Sequence, residues 1–172
     1  MSLLLKVFVE IAFFRRGPED LPASPFLLFL SLLVYAAGSM VTSAVYTEEA
    51  RLILLEVMAD IILMLLWYGV VLAIYKRSAR LQQTLTALFG TGGLLYIIAF
   101  PVMSWLQQEI GTPSGAQSSV LLMMAILIWS IALAAHIVQR ALEVQIAVGL
   151  AISIGYFVVS VAVFSFLFGT ST

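Results

Sequence analysis

Five runs of about twenty apolar residues divide this chain, with only short polar connections between them. A helix needs ~20 such residues to cross ~30 Å of hydrocarbon. In lipid every backbone polar group must be satisfied internally, and a helix does this within one segment. The runs cover residues 25–46, 52–75, 84–106, 119–138 and 144–168. They predict an all-α fold, a polytopic bundle of five spans over 25–168. The connections are short, so neighbouring spans are expected to be antiparallel and adjacent.

Composition agrees. Hydrophobic residues make up 63% of the chain and charged residues 10%, where a soluble domain is about a quarter charged. A chain this small cannot hide that much apolar surface in one water-facing core, and it is too apolar for a disordered one. A net charge of −1 leaves no large basic surface for nucleic acid. With no cysteine and one histidine, thiolate and histidine-built metal sites are not expected. The lengths of the spans leave no room for a soluble catalytic domain, and no cofactor is expected.

The stretch from 118 to 168 is too long for one crossing. Its polar interruption is His136, Gln139, Arg140 and Glu143, so the reversal is expected there. It contains neither Gly nor Pro, which predicts a tight or partly helical turn. His136 lies four residues before Arg140 and reads as an interfacial histidine, with Arg140 snorkelling beside it.

Residues 1–24 read differently. Lys6 and Glu10 are four apart and can pair on one helical face. Leu4, Leu5, Phe8, Val9, Ala12 and Phe13 surround the other side. This predicts an amphipathic helix in the membrane interface, with Leu4, Phe8 and Phe13 against lipid and Arg15 and Arg16 at the headgroups. A signal peptide fits less well, because charges interrupt the apolar stretch and no small-residue cleavage site follows. Pro18, Pro22 and Pro25 then forbid a continuing helix. Ser24 followed by Pro25 reads as an N-cap and first helical position.

Seven of the eight basic residues fall on one side of this arrangement, and Arg51 alone falls on the other. The positive-inside rule then puts the N-terminus in the cytoplasm and the C-terminus outside, in a cytoplasmic (inner) membrane.

Glu56 and Asp60 are the candidate site. They sit four apart on one face of the second span, with Asp60 about 12 Å from its outer end by helical rise. A central charge costs at least ~2.5 kcal/mol on insertion scales, so such residues usually face the bundle interior. One reading is a polar clasp to neighbouring spans, with Ser39, Thr42, Ser43, Ser104 and Gln107 as candidate partners. The other is a proton or cation relay. Ile61 to Leu66 offer no polar step along that helix, and only Thr84, Thr86, Thr91 and Ser130 could supply one from elsewhere. The clasp is therefore favoured.

Small residues mark expected packing faces: Gly90, Gly92 and Gly93 on the third span, and Gly149, Ser153 and Gly155 on the fifth. Pro101 reads as a kink within the third. Trp67, Tyr68, Tyr75, Tyr46 and Trp105 read mostly as interface anchors.

From Pro18 to Phe168 the chain resembles the Yip-domain family, including its bacterial members. The resemblance rests on the order of segments, on Ala87-Leu88-Phe89-Gly90-Thr91-Gly92-Gly93, on Ile128-Trp129-Ser130, and on the tight turn into a small-residue-rich last span. It implies five helices, a cytoplasmic N-terminus and no catalytic activity. The chain lacks the Asp-Leu-Tyr-Gly-Pro type motif of eukaryotic members, of which Glu19-Asp20-Leu21-Pro22 is only a weak echo, and it is not expected to carry their long cytoplasmic N-terminal region. The GTPase binding of those members is therefore not carried over. The expected role is a non-enzymatic membrane-organising protein or accessory subunit. Its partners would be the lipid bilayer and other membrane proteins or a second copy. The alternative is a small transporter or proton-coupled component using Glu56 and Asp60.

Overall fold

The computed structural model describes residues 2–110 and 117–169. The described residues form six α-helices: α1 Ser2–Ala12, α2 Pro25–Ser43, α3 Ala50–Ile74, α4 Leu81–Glu109, α5 Gln117–Leu142 and α6 Ile146–Phe168. The last five are each long and apolar enough to cross a membrane. The chain is a multi-pass helical bundle, and among the described residues there is no strand.

Helix ends follow local chemistry. Ser24 caps α2, its Oγ accepting from the Leu27 amide at 3.4 Å, with Pro25 as the first helical residue. The third and fourth spans are longer than their apolar runs, because polar residues such as Gln82, Gln83, Gln107 and Gln139 extend the helices. The reversal before α6 lies at residues 143–145, so His136, Gln139 and Arg140 belong to α5.

That turn is made without glycine. Glu143 takes a φ of 58°, and the Val144 amide reaches back to the Gln139 carbonyl at 3.1 Å. The same left-handed exit ends α1 at Phe14 (φ 61°) and α3 at Lys76 (φ 55°), with return bonds from Arg15 to Glu10 at 2.8 Å and from Arg77 to Leu72 at 2.7 Å. Glycine usually fills this position, because a side chain there is strained. Two of the three residues have compensating contacts. Phe14 packs edge-on against His136. Glu143 accepts from both Arg77 and Arg80, and the hydrogen bond from Arg80, with Arg77 beside it, holds its carboxyl below the usual carboxylate range. Lys76 is exposed and in none of the ion pairs of the described residues. Lys76→Gly is therefore expected to stabilise the protein by about 0.5–1 kcal/mol, read as a higher unfolding midpoint in detergent. An unchanged or lower midpoint would show that Lys76 has a role beyond the turn.

Charges gather at the end of the bundle where α3 and α5 finish. Arg80 donates to the carbonyls of Arg140 (3.3 Å) and Ala141 (3.1 Å), and Arg140 pairs with Glu19. This basic end also holds the elbow: Gln83 donates to the Leu21 carbonyl at 2.7 Å, and Leu21 is buried. Core residues crowd toward the same end. In α4, residues 84–91 are all buried, whereas after Gly93 only Ala99 is. In α5 every buried residue but Ser119 lies at or after Leu133, and in α6 the buried residues are Gly149 and Ser153. The bundle is tight at its basic end and looser toward the other.

α1 lies on the flank of α4 and α5. Val7, Ile11 and Ala12 are buried, while Leu5 and Phe13 are exposed. Phe8 differs from the expectation of a lipid-facing side chain, because its ring packs where Gly90 has no side chain. Trp129, near the middle of α5, donates its indole N–H to the Ala12 carbonyl at 3.1 Å. Glu10 pairs with Lys6 at 3.9 Å, as the spacing predicts, and more closely with Arg16 at 2.6 Å. His136 contacts the Arg16 carbonyl at 2.8 Å, so the histidine ties the end of α1 to α5.

Candidate functional site

The glycines set how closely the spans approach, and thereby place the site. α2 and α4 interlock reciprocally. A Cβ on Gly92 would lie 2.7 Å from the Tyr35 ring, and one on Gly38 would lie 2.8 Å from the Tyr96 Cβ. Gly93 meets Val34 at 2.8 Å. α4 runs unbroken through Gly90–Gly93, so these glycines serve packing and do not open the helix. On α6, Gly149 faces the Ala135 carbonyl oxygen at 2.5 Å and Gly155 faces the Trp67 ring at 3.1 Å. Pro101 departs from this pattern. It is exposed, and α4 continues past it. Its missing N–H costs one backbone hydrogen bond, on a face that carries no packing.

This packing brings Tyr35 of α2 and Tyr156 of α6 to opposite sides of Asp60 on α3. Tyr35 donates to Asp60 Oδ2 at 2.5 Å, and Tyr156 donates to Asp60 Oδ1 at 3.0 Å. Each tyrosine is ten residues past the first residue of its helix, and Asp60 is ten past the first of α3. At helical rise this is ~15 Å, so the group sits at mid-height of the bundle. Rings surround it. Tyr35 packs edge-on against Phe89 at 5.2 Å and against Tyr96 at 5.3 Å, while Tyr156 packs against Tyr68 at 5.4 Å.

Asp60 is thus clasped, but by tyrosines in place of the serine, threonine and glutamine partners expected from depth. Thr42 Oγ1 turns to the Gly38 carbonyl of its own helix at 2.7 Å, and Gln107 reaches Val45 O at 3.4 Å. Glu56 is half-buried and makes no hydrogen bond or ion pair among the described residues, so the structure does not join it to the clasp. Tyr68, expected at an interface, is buried in the core. Tyr35, Tyr96 and Tyr156 carried a signal that could have been read. Belt tyrosines sit at span ends, and these three lie in mid-span.

A hollow of about 270 Å³ lies beside the clasp. Tyr35, Tyr68, Tyr96 and Tyr156 all line it. It runs from Leu88 and Leu133 at its floor to Met103 and Met123 toward the end away from the basic cluster. Ser153, on its wall beside Tyr68, has a buried Oγ without a hydrogen bond of ordinary geometry. Below the floor, Thr84, Ala87, Ile137 and Val138 are fully buried. The hydroxyls of Thr84, Thr86 and Thr91 are committed to carbonyls of their own helix at 2.8, 2.7 and 2.7 Å. Such back-bonding satisfies the group within its own turn, so these threonines supply no polar step away from Asp60.

Among the described residues, no three His, Asp or Glu side chains stand close enough to hold a metal ion. No protein-family model, no curated protein and no solved structure matches this chain.

Proposed function

We propose that this chain is a non-enzymatic integral membrane protein, acting as a membrane-organising protein or an accessory subunit of a membrane complex. In this reading it resides in a cytoplasmic (inner) membrane, with its N-terminus and basic end in the cytoplasm and its C-terminus outside. The observation that carries the reading is the state of Asp60. Both of its oxygens accept from tyrosines of the helices on either side. An acid so engaged ties α2, α3 and α6 together, as a clasp requires. The resemblance to the Yip-domain family, whose eukaryotic members shape or sort vesicle membranes, fits the same reading.

The hollow beside Asp60 favours the second reading, a small transporter or proton-coupled component. The two part in one assay. Protein reconstituted in liposomes under an imposed proton gradient is expected to leak no faster than empty liposomes, for wild type and Asp60→Asn alike. Asn keeps a hydrogen-bonding group but cannot take up and release a proton. A wild-type proton flux that disappears in a stably folded Asp60→Asn protein would establish the relay instead.

A further inference from the structure

Asp60 lies at mid-height of the bundle, and none of the ion pairs of the described residues includes it. Its only hydrogen bonds there come from two neutral phenols. Buried carboxylates are ordinarily matched by a cation. The two phenols also determine what the hollow presents. Tyr35 and Tyr156 each have a single O–H, and both protons are spent on Asp60. Toward the hollow these oxygens offer only acceptor lone pairs. The rings of Tyr68 and Tyr96 complete the wall, and aromatic faces attract cations through their quadrupole. Most of the remaining lining is methionine and aliphatic. Acceptor oxygens, aromatic faces and a carboxylate one hydroxyl away complement a positively charged donor carried on an apolar body.

We propose that this hollow is a binding site for a lipophilic organic cation, a primary ammonium on an apolar or aromatic frame. The ammonium sits against the Tyr35 and Tyr156 oxygens with Asp60 as counter-charge. The apolar body lies toward Met103 and Met123. The floor is sealed, so the cation enters from the end away from the basic cluster. The site is independent of the organising role, and binding without transport leaves that role intact.

The test is equilibrium binding of radiolabelled 2-phenylethylammonium to the full chain in nanodiscs, with empty nanodiscs subtracting partition into lipid. Saturable binding is expected, at least tenfold tighter than that of the neutral isostere 2-phenylethanol. Asp60→Asn should weaken it at least tenfold. Ala99→Phe fills the hollow without touching the clasp and should abolish binding, which keeps the proposal testable if the Asp60 variant folds poorly. Equal affinity for amine and alcohol would overturn it. So would wild-type binding by Asp60→Asn or Ala99→Phe, or no saturable binding above empty nanodiscs.

Discussion

Gly149→Val is expected to destabilise the protein by about 3 kcal/mol, the upper end of what overpacking usually costs. The reason is what the new side chain would meet. A Cβ at Gly149 lies 2.5 Å from the Ala135 carbonyl oxygen and 3.3 Å from its carbonyl carbon. That obstacle is backbone, held in the hydrogen-bond ladder of α5, so no rotamer change can clear it. α6 would have to move away from α5, and the buried residues of α6 are Gly149 and Ser153, both in its first half. Gly69 is the natural control, because a Cβ there has nothing within 4 Å. Gly69→Ala should gain about 0.5–1 kcal/mol from reduced backbone entropy. Unfolding midpoints in mixed micelles check both. A Gly149→Val protein as stable as Gly69→Ala would mean that the α5–α6 contact is not fixed by close approach.

The sequence made the five spans legible because membrane crossing leaves a signal that no other fold produces: twenty-residue apolar runs with punctuation. It also carried the small-residue faces at Gly92, Gly93, Gly149 and Gly155. Gly38 was missed because it lies alone in α2, and its role appears only when Tyr96 is seen filling the notch. Asp60 stood out because an intramembrane acid is costly. Its partners did not, because depth points to the serine, threonine and glutamine side chains at the same level. A tyrosine reaches farther, and a mid-span tyrosine can serve a neighbouring helix. Glu56 shows the limit of spacing arguments. Four residues put it on the face of Asp60, but the α2 and α6 tyrosines converge one turn away from it. The reversal at Glu143 was legible from its polar residues, but what holds it was not. Glycine is the usual mark of a left-handed helix end, and here two arginines on a distant connection hold a glutamate in its place.

The double variant Tyr35→Phe/Tyr156→Phe should destabilise the bundle far more than the two hydrogen bonds are worth. Hydrogen bonds in membranes average only about 0.6 kcal/mol, because the unfolded chain also finds partners. Removing donors while leaving the acceptor is a different event. Phenylalanine keeps each ring where it packs, against Phe89 and Tyr96 on one side and Tyr68 on the other. Packing loss is therefore small, and what remains is a buried carboxylate with no donor. Leaving one partner of a buried polar contact unmatched costs about 1–3 kcal/mol for an ordinary group, and about 3–5 kcal/mol for a charge. Adding Asp60→Leu removes the stranded group, so the triple variant should recover most of that loss although it lacks both bonds. Unfolding free energies in mixed micelles for the singles, the double and the triple close the cycle. If the double variant costs under about 1 kcal/mol, Asp60 is satisfied without its tyrosines. The clasp would then be an arrangement the bundle can do without, and the acid would have to be explained by what enters the hollow beside it.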